Sequence, residues 1–176
     1  YFGQTITVKN LHLTNGEQAL RIDGTSKLLA DANRSLDFQV EMQRLGLSTF
    51  NALLAGILQN LTGWVDGKLN IAGTVARPKP SGTLSTHDVK ATIAETNVRY
   101  ALSDKALVFS PVGIDLTGLT LTDPQGNKLI IRGSLKTTDW SDLRYDLEVS
   151  AKNWLVMNTV KSAKVPQYGR LVANVN

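Results

Sequence analysis

The chain of 176 residues contains no cysteine, five prolines and only 6% aromatic residues. The missing cysteines exclude disulfides and thiolate metal sites. No run of 18 apolar residues occurs, which excludes a transmembrane helix within this sequence. A hydrophobic fraction of 42% with so few aromatics also argues against a thick, dense core. Information about function therefore has to come from the pattern of ordinary residues along the chain.

Charge is plentiful but has no concentrated patch of one sign. The sequence carries 19 basic and 15 acidic residues, a formal net charge of +4 and a pI near 9.4. These charges are scattered along the chain, and no short window is dominated by Lys and Arg. An RNA-binding sheet would also need exposed aromatics interleaved with basic residues, which the pattern lacks. We expect a surface with a mild basic excess and no nucleic-acid partner.

Groups that support catalysis are sparse. His12 and His87 are isolated, without metal-ligand spacing, and are expected to be solvated surface residues. Asp139 and Asp142 flank Trp140, a pair that turn chemistry explains better than paired-carboxylate catalysis. The acidic turn at 123–127 lacks the ligand series of an EF-hand. The sequence therefore predicts no enzyme, no catalytic residue, no metal and no cofactor.

One β pattern occurs twice. The apolar residues of the two copies keep a constant offset of 108 positions (114 − 6 = 108): Ile6, Val8, Leu11 and Leu13 in the first copy, and Ile114, Leu116, Leu119 and Leu121 in the second. Alternation with period two predicts strands with one apolar face, and the skipped residue predicts a β-bulge. A turn follows each copy, at Asn15-Gly16 and at 123–127. Repeated β units predict one long sheet in which similar groups of strands lie side by side.

The alternation predicts about a dozen short strands without an internal linker, and a loop at 77–82 where two prolines interrupt hydrogen bonding. One set of apolar residues is expected to share a single concave face and line a groove. The set is Ile6, Val8, Leu36, Phe38, Val40, Met42, Leu69, Ile71, Ile114, Leu116, Leu143, Tyr145, Leu147 and Val149. The charged residues Arg21, Glu41, Arg144 and Glu148 are expected on the opposite face.

A different periodicity appears at 47–61, where apolar residues recur at helical spacing. This spacing predicts one short amphipathic helix, with Phe50, Leu54, Ile57 and Leu61 packing as a plug on the end of the sheet. A helix lying on a membrane surface is the alternative. It is less favoured because the polar positions are Ser, Asn and Gln instead of Lys and Arg.

A family resemblance emerges from residues 60–176. Residues 64–74 (WVDGKLNIAGT), Arg77-Pro78 and residues 81–84 (SGTL) resemble the Gly-rich strand pattern of the conserved C-terminal domain of the TamB family, in the AsmA-like group. The strand at 100–102, the turn at 123–127 and Tyr168-Gly169 resemble later motifs of that domain in the same order. Each motif is weak alone, and the order and spacing give the resemblance its specificity. The segment stops before the last strands of the family.

The resemblance implies a long curled sheet, a β-taco, of which residues 1–176 are a fragment. It implies a location in the periplasm of a diderm bacterium, with an inner-membrane anchor outside this segment. The implied partners are phospholipid acyl chains and an outer-membrane barrel of the Omp85 type, similar to TamA, in a translocation and assembly module. Lipid transport, outer-membrane biogenesis and protein secretion are the roles attached to that family.

Three functions remain open on the sequence. The favoured one is a non-enzymatic lipid conduit, whose groove shields acyl chains between the two membranes. The second is a chaperone-like scaffold that assists outer-membrane protein assembly by strand addition at its sheet edges. The third is a closed β-sandwich or barrel with an ordinary core.

Overall fold

Alternating apolar and polar residues run through most of the chain, and the alternating segments form β-strands. The computed structural model describes residues 4–29, 33–138, 142–159 and 169–175. Its strands are β1 (Thr5–Asn15), β2 (Gln18–Lys27), β3 (Ser35–Gly46), β4 (Leu58–Thr74), β5 (Pro78–Ile93), β6 (Val98–Leu102), β7 (Lys105–Ser110), β8 (Gly113–Asp115), β9 (Leu119–Thr122), β10 (Lys128–Thr137), β11 (Leu143–Thr159) and β12 (Gly169–Val175). The protein is therefore mostly β, as the sequence predicts.

These strands form one antiparallel sheet in the order β1-β2-β3-β4-β5-β6-β9-β10-β11-β12. Two positions in this order are each occupied by an interrupted strand: β6 with β7, and β9 with β8. β5 pairs with β6 at one end and β7 at the other, and β10 likewise pairs with both β9 and β8. With each interrupted strand counted once, the described sheet is a meander whose neighbours in the chain are neighbours in space.

The two sequence copies occupy equivalent places in this meander. The first copy is β1-β2-β3, and the second is β8 and β9 followed by β10 and β11. A register shift between Val8 and Leu11 confirms the predicted bulge in the first copy. In the second copy the skipped residues separate β8 from β9, where Gly118 has a φ of +81°. Both predicted turns connect hairpins.

The register assigns the apolar set to one face, because directly opposed residues of antiparallel strands point to the same side. Val40 lies opposite Ile22 and Leu69. The same face continues from Leu69 through Gly82, Phe109, Ile114, Leu135 and Tyr145, each opposite the residue before it. Ladders through these pairs place the fourteen predicted residues on one face.

The opposite face is charged, and its residues lie opposite one another on neighbouring strands. Arg21 lies opposite Glu41, which lies opposite Lys68. In the second copy Arg144 lies opposite Lys136, and Glu148 lies opposite Arg132. In this register Arg21, Glu41, Arg144 and Glu148 lie on the face opposite the apolar residues of the same strands.

Glycines interrupt the apolar face at equivalent points of the two copies. A Cβ on Gly24 would lie 2.2 Å from the Asp37 carbonyl oxygen, and one on Gly133 would lie 2.1 Å from that of Asp146. Their φ values of +153° and +110° are ones that L side chains rarely adopt. Neighbouring strands therefore approach each other more closely at these points than any side chain would permit.

One short helix is present, as predicted, but it is shorter than the predicted range. The helix near 47–61 is confined to a 3-10 turn (Leu47–Phe50) and one α-turn, α1 (Asn51–Leu54). Its expected second half is strand, because Leu58 and Gln59 pair with Ile93 and Thr92 of β5. Pairing with a neighbouring strand has overridden the helical spacing.

The predicted loop at 77–82 is largely strand. Pro78 lies opposite Gly73, and Pro80 opposite Ile71, at the start of β5. β7 joins the other side of β5 only from Gly82 onward. The missing proline N–H groups face that open side, where no ladder hydrogen bond is required. The expectations for Asp139, Trp140 and Tyr168 lie outside the described residues.

Buried apolar side chains are few in the described part of the chain. They are Leu61, Val65, Val98, Leu119, Trp154 and Leu155. All six come from β4, β6, β9 and the end of β11, so the core lies toward one end of the sheet. Within residues 4–29, 33–138, 142–159 and 169–175, the rest of the apolar face therefore has no second layer of buried side chains.

Candidate functional site

The candidate site is the apolar face defined by the fourteen predicted lining residues. None of the fourteen is buried: Ile6, Leu143, Tyr145 and Leu147 are exposed, and the other ten are half-buried. A sheet face that packs on a second layer would bury its central side chains. These side chains instead contact their neighbours along the sheet while one side stays accessible.

The largest exposure is at the second-copy end of the face. The Tyr145 side chain is 72% exposed, and Leu143 and Leu147 flank it on the same strand. β12 pairs with β11 only between Ala151 and Thr159. Within the described chain, the stretch 143–150 therefore has a hydrogen-bonded neighbour on one side only, β10.

A closed cluster lies where the end of β11 reaches back to β6, three places away in the sheet order. The rings of Tyr100 and Trp154 stack with centroids 4.7 Å apart and planes 8° from parallel. The Tyr100 hydroxyl donates to the Leu155 carbonyl oxygen at 2.7 Å, and the Asn158 N–H donates to the Thr96 carbonyl oxygen at 2.9 Å. These long-range contacts seal this end of the apolar face.

Asp123 anchors the closed cluster from the hairpin turn. Its carboxylate accepts hydrogen bonds from the N–H groups of Gln125, Asn127 and Leu155 and from the Asn127 side chain, at 2.9–3.0 Å. Burial acts to raise the pKa of Asp123, but these hydrogen bonds outweigh it and hold the pKa below its ordinary value. Burial and the Asp123 charge together raise the pKa of Tyr100. The acidic turn is a structural anchor.

The predicted plug residues do not form a common packed stripe. Leu61 is buried in β4, whereas Ile57 is 68% exposed and Phe50 is exposed in the 3-10 turn. Leu54 is half-buried in α1. Leu53, which the prediction did not include, is 80% exposed. This end of the sheet is therefore capped less tightly than the helical spacing indicated.

An apolar cavity of about 370 Å³ lies beside this turn. It is lined mainly by Leu13, Leu20, Leu45 and Phe50, with polar contributions from Asn15 and Gln18. Leu13, Leu20 and Leu45 belong to the same register ladder as the lining residues. The cavity is thus the end of the apolar face, partly roofed by Phe50.

The charged face is stabilised by exposed cross-strand ion pairs. Lys68 Nζ lies 2.9 Å from Glu41 Oε1, and Lys136 Nζ lies 2.5 Å from Asp146 Oδ2. The hydrogen bond from each lysine is the main reason that the pKa of Glu41 and of Asp146 lies below its ordinary value. Such exposed pairs contribute little to stability individually but keep this face in water.

An aromatic and ionic cluster on the charged face was not predicted. The Trp64 and His87 rings stack 5.5 Å apart, and the Arg44 guanidinium lies 4.9 Å above the Trp64 ring. His87 Nε2 lies 3.2 Å from Asp66 Oδ2, so His87 is a partnered residue within β5. The sequence signal was alternation: Trp64 and His87 are both out of phase with the apolar residues around them.

Left-handed residues cause the bulges of the long strands, and polar side chains stabilise them. Asn10, Arg44, Asp88 and Asn153 have positive φ angles. Each of their N–H groups donates to a side-chain oxygen on a neighbouring segment; the acceptors are Asp23, Asp66, Asp104 and Asn174. This recurring bond satisfies an N–H that the bulge removes from the ladder.

Residues 4–29, 33–138, 142–159 and 169–175 contain no group of three His, Cys, Asp or Glu side chains arranged to hold a metal ion. The same ranges contain no helix with the length and hydropathy needed to cross a membrane.

Comparison with family models, curated proteins and solved structures finds no match to this chain. The resemblance to the TamB family therefore remains an expectation from the sequence motifs.

Proposed function

We propose that this protein is a lipid-transport conduit, in which the apolar face shields phospholipid acyl chains while headgroups stay in water. The observation that carries the proposal is the combination of register and burial. Fourteen apolar residues share one face, yet none of them is buried. Soluble monomers rarely leave contiguous apolar patches larger than a few hundred Å² uncovered. A flexible apolar ligand supplies the missing cover.

The dimensions of the sheet suit acyl chains. Ten strand positions lie side by side, and with a spacing of about 4.8 Å they extend over about 43 Å. The hydrocarbon core of a bilayer is about 30 Å thick. An aliphatic face of this length accommodates acyl chains at any point, because hydrophobic contact is not directional. The sequence carries no nucleotide-binding motif, so the free energy that drives lipid transport would come from another component.

The resemblance to the TamB family gives this proposal a cellular setting. The conduit would lie in the periplasm of a diderm bacterium, in a curled β-taco groove anchored at the inner membrane by a segment outside residues 1–176. Its far end would meet an outer-membrane barrel of the Omp85 type, similar to TamA. These partners and this location belong to the proposal.

Site-specific photo-crosslinking in cells tests the proposal. A photoreactive amino acid at Val40 or Leu147 is expected to give phospholipid adducts, identified by mass spectrometry. Glu41 and Glu148 are matched controls, because each is the next residue of the same strand and lies on the charged face. Equal lipid labelling at all four positions would show adventitious contact with membranes and contradict the conduit.

A second candidate is the scaffold for outer-membrane protein assembly, a role that the resemblance also attaches to the TamB family. An exposed strand edge can bind an extended segment by adding it to the sheet. Crosslinks from Leu147 to outer-membrane proteins, with no phospholipid adducts at Val40, would support the scaffold over the conduit.

A further inference from the structure

The turn between β3 and β4 presents apolar side chains to solvent. Residues 47–57 contain the 3-10 turn and α1 and lead into β4. At the tip of this turn, residues 52–57, Leu53 is 80% exposed, Ile57 is 68% exposed and only Leu54 is not exposed. β3 and β4 each have hydrogen-bonded neighbours on both sides, so this exposure is not that of a sheet edge. Large aliphatic side chains exposed together mark an interaction surface.

Charged residues are absent from this turn and from the strand ends beside it. Residues 45–65 are 21 positions (65 − 45 + 1) without Asp, Glu, Lys or Arg, although 19% of the chain is charged. At that frequency about four charged residues would be expected there (0.19 × 21 ≈ 4). Charged side chains are unfavourable in the hydrocarbon of a bilayer, whereas surfaces that meet only water normally carry them. The absence of charge therefore indicates an apolar partner.

The backbone of the turn is hydrogen-bonded within the protein. The Asn51 side chain accepts from the Leu61 N–H at 2.8 Å and donates to the Leu61 carbonyl oxygen at 3.0 Å. The Ile57 N–H donates to the Leu54 carbonyl oxygen at 2.8 Å, and the Ile57 carbonyl oxygen accepts from the Ala94 N–H at 3.0 Å. These bonds satisfy polar groups that would lose their water in apolar surroundings. They also tie the turn to β4 and to the end of β5, with its apolar side chains directed outward.

We propose that residues 47–57 insert into the surface of a phospholipid bilayer, with Leu53 and Ile57 among the acyl chains. A protein partner suits the tip less well, because protein interfaces are anchored mainly by Tyr, Trp and Arg, and residues 52–57 contain none of these. A bilayer needs only apolar contact, without a matching pocket or a charge. Because the turn has no Lys or Arg, its insertion requires no anionic lipid.

Insertion of the turn brings one end of the apolar face to the membrane. Phe50 of the turn lines the apolar cavity of about 370 Å³, together with Leu13, Leu20 and Leu45 of the apolar face. An acyl chain that leaves the bilayer beside Phe50 then meets the apolar face directly. This role in lipid loading rests on the proposed conduit, whereas the insertion of the turn does not depend on it.

Single-cysteine labelling tests the insertion, because the chain has no cysteine of its own. The purified 176-residue chain, with an environment-sensitive fluorophore on Leu53→Cys or Ile57→Cys, is titrated with phosphatidylcholine vesicles at low and high salt. We expect a blue-shifted emission at both positions, and quenching by lipids that are brominated in their acyl chains. Salt should not weaken the binding, because the contact is apolar and not electrostatic.

Val112 provides the matched control position. It is 67% exposed, close to Ile57, and lies in the turn between β7 and β8 at the opposite ends of the strands. We expect no shift from a fluorophore on Val112→Cys. A charge at the tip supplies a second test: Leu53→Asp, in the labelled Ile57→Cys chain, should raise the lipid concentration for half-maximal binding at least about tenfold. Val112→Asp in the same chain should leave that concentration unchanged.

No shift at either tip position, in chains that circular dichroism shows to be folded, would overturn the proposal. An equal shift at Val112 would also overturn it, since that would show general adsorption to the membrane. In cells, a photoreactive amino acid at Leu53 that gave protein adducts and no phospholipid adducts would assign the turn to a protein partner instead.

Photo-crosslinking at Val40 tests the conduit separately. Phospholipid adducts at Val40 without insertion of the turn would overturn the insertion and leave the conduit standing. Insertion of the turn without adducts at Val40 would support the membrane contact and remove its role in lipid loading.

Discussion

The backbone N–H of Leu155 donates to Asp123 Oδ2 at 3.0 Å, and the two residues are 32 positions apart in the sequence. The bond ties the β9–β10 hairpin turn to the end of β11, next to the stacked rings of Tyr100 and Trp154. Both residues are buried. The closed end of the sheet therefore depends on a carboxylate whose local sequence indicates nothing more than a turn.

Asp123→Asn should destabilise the protein by about 1–3 kcal/mol, because an amide has one acceptor oxygen and leaves a buried N–H without a partner. Urea unfolding followed by tryptophan fluorescence measures the change. Asp23→Asn is the control, since Asp23 accepts a comparable backbone hydrogen bond at an exposed site. An equal loss in both variants would contradict the anchoring role of Asp123.

The contribution of Asp123 should depend on pH. The pKa of Asp123 is lower in the folded protein than its ordinary value of 3.8, so the carboxylate stabilises the fold above that value. This contribution is lost as the pH falls through the folded pKa, because the folded and unfolded states then bind the proton equally. The stability difference between the parent and Asp123→Asn should therefore shrink below about pH 4. A difference that is constant from neutral to acidic pH would contradict this expectation.

Gly24→Ala should cost about 3 kcal/mol or more, because its Cβ would lie 2.2 Å from the Asp37 carbonyl oxygen at a φ of +153°. Gly16→Ala is the matched control: its φ is also positive, at +61°, but nothing lies within 4 Å of the added Cβ. We expect about 1 kcal/mol there, the ordinary cost of a left-handed alanine. Thermal or chemical unfolding of both variants measures the difference, and equal costs would show that close strand approach is unimportant.

Charged substitutions within 47–61 should have different effects at the buried residue Leu61 and at the exposed residue Ile57. Leu61→Asp should cost about 3 kcal/mol or more, since Leu61 is only 6% exposed and an unpaired carboxylate would be buried. Ile57→Asp should cost less than about 1 kcal/mol, because water already reaches Ile57. Equal destabilisation by the two substitutions would indicate that Ile57 packs on the core after all.

Charging the apolar face should affect transport more than stability, if the conduit proposal is correct. Val40→Asp and Leu147→Arg place a charge where acyl chains slide, and each CH₂ transferred from water to an apolar surface contributes about 0.8 kcal/mol. Water can hydrate the new charge because neither residue is buried. We expect folded variants, by circular dichroism, with a loss of lipid transfer between donor and acceptor vesicles. Unfolding of both variants would instead support a sealed core.

Local pattern predicted the repeat, the bulge after Val8 and the separation of Val40 from Glu41 on opposite faces. It failed where the neighbouring strand decided the outcome. Leu58 and Leu61 fit a helical stripe, but β5 offers hydrogen-bond partners at that position, so the chain extends. Pro78 and Pro80 indicate a loop, but one open edge of β5 tolerates them within a strand.

The sequence alone determined which face each side chain occupies, because alternation along an extended chain leaves no freedom in that choice. It also determined the meander, since short turns between alternating segments join neighbouring antiparallel strands. Only the tertiary structure decided which parts of the apolar face are covered. Cover depends on contacts between residues far apart in the chain, such as Tyr100 with Trp154, and on the partner that each strand edge finds. Those contacts bury one end of the face and leave Tyr145 exposed at the other.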